Sequence, residues 1–174
     1  RPRVRVPSAP QVIIVHGVYG SPNGNWKPWL LAELEKLNVY ATSIALPNPN
    51  NPLLEDWIKE IAHQVELDSE DEIYLVGHSL GTTAILRYMQ TTYSKSVIGV
   101  VCVSGPCTKN DNRNIDSFLE EPFDFPIIKS RSRNFLIIHS DNDPYVPFKN
   151  AEILARELNG ELVVVPNGGH FNSA

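Results

Sequence analysis

Short apolar runs alternate along the chain with segments whose apolar residues recur at helical spacing. The runs predict six strands, over residues 11–15, 39–46, 73–76, 97–103, 135–139 and 162–165. They are short and mostly β-branched, which is typical of strands buried on both faces. The segments between them predict helices, over residues 26–37, 54–65, 82–92 and 150–158. This alternation predicts an α/β fold, in which right-handed crossovers build a parallel sheet with helices on both faces.

The first predicted helix has an apolar stripe, formed by Trp26, Trp29, Leu30, Leu34 and Leu37. Residues three and four apart lie on one face of a helix, so the stripe predicts the surface that packs on the sheet. Trp26 also lies next to the Gly/Pro/Asn-rich loop over residues 17–25. We therefore consider Trp26 a candidate wall of a pocket beside that loop, as well as a candidate core residue.

Composition narrows the classes of protein that the chain can belong to. Its 174 residues, 42% of them hydrophobic, fit a single domain over 11–174 behind an extended, Pro-rich arm over 1–10. The net charge of the chain is −5, and a negatively charged protein does not attract the negatively charged phosphate backbone of a nucleic acid. No nucleic-acid partner is therefore expected. No apolar run approaches the roughly 20 residues of a membrane span.

The chain contains only two cysteines, Cys102 and Cys107. Two are too few for a Cys-based zinc site or a disulfide scaffold, so no metal is expected. Free thiols are typical of a reducing compartment. They predict a cytoplasmic protein, with the nucleus open as a second location.

The third predicted strand runs into the motif Gly77-His78-Ser79-Leu80-Gly81, and a helix follows. A serine on a sharp strand-to-helix turn projects its hydroxyl above the sheet, where it can act as a nucleophile. Its neighbours two residues away must lack side chains because strand and helix nearly touch there. The motif therefore predicts Ser79 as a catalytic nucleophile.

A serine hydroxyl needs a base, and the base needs a carboxylate that orients it. His170 follows the last predicted strand on a glycine-rich loop that reaches the same sheet edge as Ser79, and we predict it as the base. Asp141 and Asp143 both follow the fifth strand. We favour Asp143 because Pro144 stiffens the chain after it. The order Ser, Asp, His along the chain is that of α/β-hydrolases.

The oxyanion of an acyl-transfer reaction needs two hydrogen-bond donors. We predict the backbone N–H of Leu80, which follows the nucleophile, and that of Val18, which follows the first strand. Tyr19 on the same loop is a candidate pocket wall. The long connection over residues 104–133 predicts a short helical flap above the serine, with Phe123 and Phe125 as further candidate walls.

The chain resembles the small serine hydrolases grouped with retinoblastoma-binding protein 9 and its bacterial relatives of the YdeN type. The resemblance covers most of residues 11–171, in the segments VIIVHG, NWKPWL, LPNPNNP, LEDWI, YLVGHSLGTTAILRY, VCVSG, DNDPYVPF and GGHF. It implies a minimal α/β-hydrolase fold with the strand order 2-1-3-4-5-6, a triad of Ser79, Asp143 and His170, and no cofactor.

The chain departs from this family in two places. Relatives continue past the GGHF block into a closing C-terminal helix, whereas this sequence ends at Ala174. We therefore expect less cover on the sheet near the sixth strand and less support for the His170 loop. Binding to the retinoblastoma protein is associated with an L-x-C-x-E motif. The nearest stretch, at 67–71, lacks the cysteine, so this partner is not expected.

The leading hypothesis is a carboxylesterase that cleaves a small-molecule ester or related acyl compound through a Ser-His-Asp triad and an acyl-enzyme. The alternatives are a peptidase or thioesterase that uses the same triad, and a non-catalytic binding or scaffold protein on a hydrolase fold. The triad chemistry is common to all acyl derivatives, so the sequence does not choose among the catalytic ones.

Overall fold

The computed structural model describes residues 10–68 and 72–173. Its strands are β1 (Pro10–Val15), β2 (Tyr40–Ile44), β3 (Glu72–His78), β4 (Gly99–Val103), β5 (Phe135–Ser140) and β6 (Glu161–Val165). They form one sheet, parallel at every pair, in the order β2-β1-β3-β4-β5-β6. This is the predicted order. Of the predicted arm over 1–10, all but Pro10 lies outside the described residues.

Helices cover both faces of this sheet. They are α1 (Lys27–Lys36), α2 (Leu54–Leu67), α3 (Leu80–Met89), α4 (Asp116–Leu119), α5 (Phe125–Arg131) and α6 (Lys149–Leu158), with a 3₁₀ turn at Arg113–Ile115. On one face, α1 packs over Val12, Ile14 and Val76. Buried residues of α2, α3 and α6 form the larger core on the other face. No described helix is long and apolar enough to cross a membrane.

The register of the central strands sets where the loops meet. Val15 of β1 lies beside Gly77 of β3, and His78 lies beside Val103 of β4. The loops that follow these parallel strands therefore begin at one edge of the sheet, together with those that follow β5 and β6. Chemistry in open α/β sheets gathers at this carboxyl edge.

The predicted stripe of α1 is wrong at two positions. Trp29 is 63% exposed and Leu37 is 71% exposed. Leu30, Leu31 and Leu34 make the contact with the sheet instead. Successive helical residues point about 100° apart, so Trp29 is turned away from a contact centred on Leu30 and Leu34. Leu37 is the residue after the last helical turn.

A buried arginine attaches the connection between β4 and β5 to α3. The Arg87 guanidinium donates hydrogen bonds to the carbonyl oxygens of Phe118, Glu121 and Pro122. It also lies 3.8 Å from the centre of the Phe123 ring, which is a cation–π contact. These contacts hold the predicted flap on the body of the molecule.

Strand β6 forms one edge of the sheet and is lightly covered. Its Val163 is 38% exposed and its Val164 is 45% exposed.

Candidate active site

Ser79 lies on a sharp turn between β3 and α3. Its backbone has φ 54° and ψ −125°, a conformation that residues with a side chain rarely adopt. The backbone is packed so closely at this turn that no side chain fits two residues before or two residues after Ser79. A β-carbon at Gly77 would lie 2.5 Å from the backbone nitrogen of Thr82, and one at Gly81 would overlap the carbonyl oxygen of Val15. The two glycines of the motif are therefore required by the close approach of strand and helix, as predicted.

The structure brings Ser79, His170 and Asp143 together. His170 Nε2 lies 3.0 Å from Ser79 Oγ, and His170 Nδ1 lies 2.8 Å from Asp143 Oδ2. An ionised carboxylate only accepts hydrogen bonds, so the proton of the neutral imidazole resides on Nδ1. That tautomer leaves Nε2 unprotonated and facing the serine hydroxyl. The arrangement can accept a proton from Ser79.

Asp143, rather than Asp141, faces His170. Its Oδ1 accepts hydrogen bonds from the N–H groups of Tyr145 and Val146, both 2.9 Å long. Burial by itself raises the pKa of this carboxyl, but the bonds from His170, Val146 and Tyr145 outweigh it and hold the pKa below its ordinary value. Asp143 is therefore ionised at neutral pH. Asp141 instead accepts a bond from the Asn167 N–H.

Three contacts hold the loop that carries His170. The Asn142 side-chain oxygen accepts a hydrogen bond from the Gly169 N–H, at 2.8 Å. His78 Nε2 donates to the carbonyl oxygen of His170, also at 2.8 Å. The Tyr145 ring packs edge-on against the imidazole, with ring centres 5.2 Å apart. These contacts fix the position of the His170 imidazole beside Ser79.

His78 is a site residue to which the sequence analysis assigned no role. Burial lowers its pKa to about 4, and the nearby charges of His170 and Lys27 act in the same direction. His78 is therefore neutral at pH 7. Its bond to the His170 carbonyl requires the proton on Nε2. Nothing in the sequence motif indicates this contact.

The depressed pKa of His78 predicts a loss of stability in mild acid. Unfolded chains bind a proton at this residue below about pH 6.5, whereas the folded protein does not until about pH 4. The free energy of unfolding should therefore fall by roughly 2 kcal/mol between pH 7 and pH 4.5 on account of His78. The amide of His78→Gln can still donate to the His170 carbonyl but does not titrate. In urea unfolding, the free energy of unfolding of this variant should therefore fall by roughly 2 kcal/mol less than that of the wild type between pH 7 and pH 4.5.

His63→Gln is the matched control for this measurement, because His63 is an exposed histidine on α2. It should keep the pH dependence of the wild type. Equal pH dependence in wild type and His78→Gln would contradict the assignment of a neutral, buried His78.

Among the described residues, the backbone N–H groups of Val18 and Leu80, which are the two predicted oxyanion donors, have no hydrogen-bond acceptor. Leu80 is the first residue of α3, so its N–H has no partner within the helix. In the loop after β1, the neighbouring N–H groups of Tyr19 and Gly20 are bonded to Pro49 and Gly17. The free pair can stabilise negative charge beside the serine.

A cavity of about 930 Å³ opens above Ser79 and His170. Tyr19 lines it, as predicted, and is joined to the flap through a 3.4 Å bond from the Asn114 amide to its hydroxyl. The flap contributes mainly polar residues, namely Pro106, Thr108, Lys109, Asn110, Asp111, Asn112 and Ile115. The cavity wall is thus largely polar on this side.

Three residues expected in the cavity wall lie elsewhere, and those expectations are wrong. Phe123 and Phe125 stack on each other, with ring centres 5.6 Å apart. Phe123 also makes a cation–π contact with the Arg87 guanidinium. Trp26 packs with α1 on the sheet and lies edge-on to His78. Nothing in the local sequence predicts that Arg87 is buried and contacts Phe123, which in turn stacks on Phe125.

Within residues 10–68 and 72–173, no group of three or more His, Cys, Asp or Glu side chains is placed to hold a metal ion. Cys102 is buried in β4, and Cys107 is half-buried. Burial raises the pKa of both thiols to about 12, so both are protonated at neutral pH.

Comparisons of sequence place the chain among the serine hydrolases. The profile of the serine hydrolase family matches residues 12–174. YdeN of Bacillus subtilis (strain 168), which is described as a hydrolase, is 35% identical over 164 residues, covering 92% of this chain and 85% of that protein. The serine hydrolase RBBP9 of Rattus norvegicus is 23% identical over 171 residues, covering 95% and 89%.

Solved structures match the fold. The crystal structure of the ydeN gene product from B. subtilis has a TM-score of 0.88 and 34% identity, covering 94% of this chain and 88% of that one. Est1E from Butyrivibrio proteoclasticus, in a structure with ferulic acid bound, has a TM-score of 0.77 and 17% identity, covering 99% and 85%.

Proposed function

Since the chain belongs to the serine hydrolase family of YdeN and RBBP9, we propose that it cleaves a carboxylic ester, or a related small acyl compound, through Ser79, His170 and Asp143. One observation carries the proposal: Nε2 of His170 lies 3.0 Å from the Ser79 hydroxyl while Nδ1 of the same ring lies 2.8 Å from Asp143 Oδ2. Such a relay of nucleophile, base and orienting carboxylate is the requirement for an activated serine.

In the first half-reaction, Ser79 Oγ attacks the carbonyl carbon of the substrate and His170 Nε2 takes the hydroxyl proton. The negative charge that develops on the carbonyl oxygen is stabilised by the N–H groups of Leu80 and Val18. Asp143 stabilises the imidazolium that forms. His170 then donates its proton to the departing alcohol, which leaves the acyl group on Ser79.

In the second half-reaction, His170 removes a proton from a water molecule, which attacks the acyl carbon. The same two N–H groups stabilise the second oxyanion, and His170 returns the proton to Ser79 as the acid departs. Every proton is carried by the imidazole, so the cycle requires no cofactor.

The cavity supports a small-molecule substrate. About 930 Å³ lies at the upper end of the range for small-ligand pockets. An ester is proposed ahead of an amide because its alcohol leaves more easily and so demands less of the site. A peptidase or thioesterase would use the same three residues.

A fluorophosphonate probe tests the proposal directly. An activated serine attacks the phosphorus and keeps the probe covalently, so intact protein should gain one probe adduct, located by peptide mass mapping at Ser79. Ser130→Ala is the control, because Ser130 is exposed on α5. It should label like the wild type. If the probe does not label Ser79, the hydrolase proposal is contradicted and a non-catalytic scaffold protein is favoured.

A further inference from the structure

Lys27, the first residue of α1, carries an amine that the proposed reaction does not use. Its side chain is fully buried, with no exposed surface, and it is the only buried residue of α1. Among the residues that the structure describes, Nζ has no hydrogen-bond partner and no carboxylate within ion-pair distance. A buried lysine is rare unless it is paired.

The surroundings of this amine offer it no negative charge. The Trp26 ring centre lies 5.6 Å from Nζ, and the loop before α1 covers it near Gly24. Burial lowers the pKa values of His16 and His78, and the nearby charge of Lys27 lowers them further. Burial in turn lowers the pKa of Lys27. Burying an uncompensated ammonium is unfavourable, so the site calls for a partner that the described residues do not supply.

Lys27 lies in the wall of the same cavity as Ser79 and His170. The described charged groups of that wall, apart from the histidines, are Lys27, the exposed Lys109 and Asp111. A lysine amine sits on a flexible four-carbon stem, so a change of rotamer can redirect it towards a bound ligand.

We infer that the amine of Lys27 binds a negatively charged group of the substrate, so that the site selects acyl compounds carrying a carboxylate over their uncharged counterparts. This inference rests on the function proposed above. A carboxylate at Lys27 would pair the buried charge where water is excluded and the attraction is strong. It would also supply the missing hydrogen-bond acceptor.

Matched ester pairs test the inference. The first pair is p-nitrophenyl hexanoate and the p-nitrophenyl half-ester of adipic acid, which share chain length and leaving group and differ in one terminal carboxylate. The second pair, 4-acetoxybenzoate and its methyl ester, places the charge on the alcohol side. In at least one pair the wild type should show a higher kcat/KM for the charged ester. Lys27→Met should reduce that ratio by about 10- to 100-fold, as expected for a charged hydrogen bond.

Lys109→Met is the matched control, because it removes the same charge from the exposed rim of the same cavity. It should change the ratio by less than about threefold, since exposed charges are screened by water and salt. A wild type without preference for charge in either pair, or a preference that survives Lys27→Met, would overturn the inference.

Binding without turnover separates this inference from the proposed hydrolysis. Monomethyl adipate is titrated calorimetrically into Ser79→Ala and into the double variant Ser79→Ala/Lys27→Met. At least about tenfold weaker binding to the double variant supports a role for Lys27, even if no ester is hydrolysed. Equal binding, or no binding to Ser79→Ala, would overturn it.

Discussion

Replacing Ser79 with Ala should lower kcat/KM for p-nitrophenyl butyrate by at least about 10⁴-fold. The variant loses the oxygen that forms the acyl-enzyme, and the residual rate is what the oxyanion donors and binding provide over water. The backbone conformation should persist, because alanine at φ 54° bears the same strain as serine. The loss should therefore appear in initial rates of p-nitrophenol release without a matching loss of stability.

Two control measurements show whether the loss of activity is due to the missing Ser79 hydroxyl. The melting temperature of Ser79→Ala should lie within a few degrees of the wild type, which would show that the fold is intact. Ser130→Ala should keep the wild-type rate. A Ser79→Ala protein that hydrolyses the ester at the wild-type rate would disprove nucleophilic catalysis by Ser79.

Gly81→Ala should cost the largest amount of stability among the substitutions considered. A β-carbon at Gly81 would overlap the carbonyl oxygens of Val15 and His16, which belong to the backbone and cannot rotate away. Strand β1 and helix α3 would have to separate at the centre of the sheet. We expect a loss of at least about 3 kcal/mol in the free energy of unfolding, measured by urea denaturation, or a failure to fold.

Gly24→Ala is the matched control for this experiment. A β-carbon at Gly24 would lie at ordinary contact distances, the nearest being 3.4 Å from Ser21 Oγ. That variant should fold with nearly unchanged stability. A Gly81→Ala protein that unfolds at the same urea concentration as the wild type would show that the contact is not restrictive.

Most of the fold could be predicted from the sequence because the hydrophobic pattern and the sheet topology are closely coupled. Buried runs such as Ile13–Val15 have no other stable environment than the interior of a covered parallel sheet. Element boundaries were less well predicted. Helix α3 begins at Leu80, two residues before its predicted start, because the turn at Ser79 leads directly into the helix.

The proximity of Ser79, Asp143 and His170 was also accessible from the sequence. Each residue follows a different parallel strand, and parallel strands deliver their following loops to one edge. The choice between Asp141 and Asp143 depended on the local stiffness that Pro144 imposes. Hydrogen-bond distances among the three side chains came only with the structure.

The pattern of the sequence by itself determined the covered parallel sheet and the edge at which the candidate site lies, since these follow from features repeated along many residues, and the resemblance to a known family supplied the strand order. Only the tertiary structure decided which single side chains turn inward. Lys27 is buried without a partner among the described residues, His78 donates to the His170 carbonyl, and Arg87 contacts the Phe123 ring away from the cavity wall. The physical reason is that each depends on distant chain segments, whose contacts leave no trace in local hydrophobic spacing.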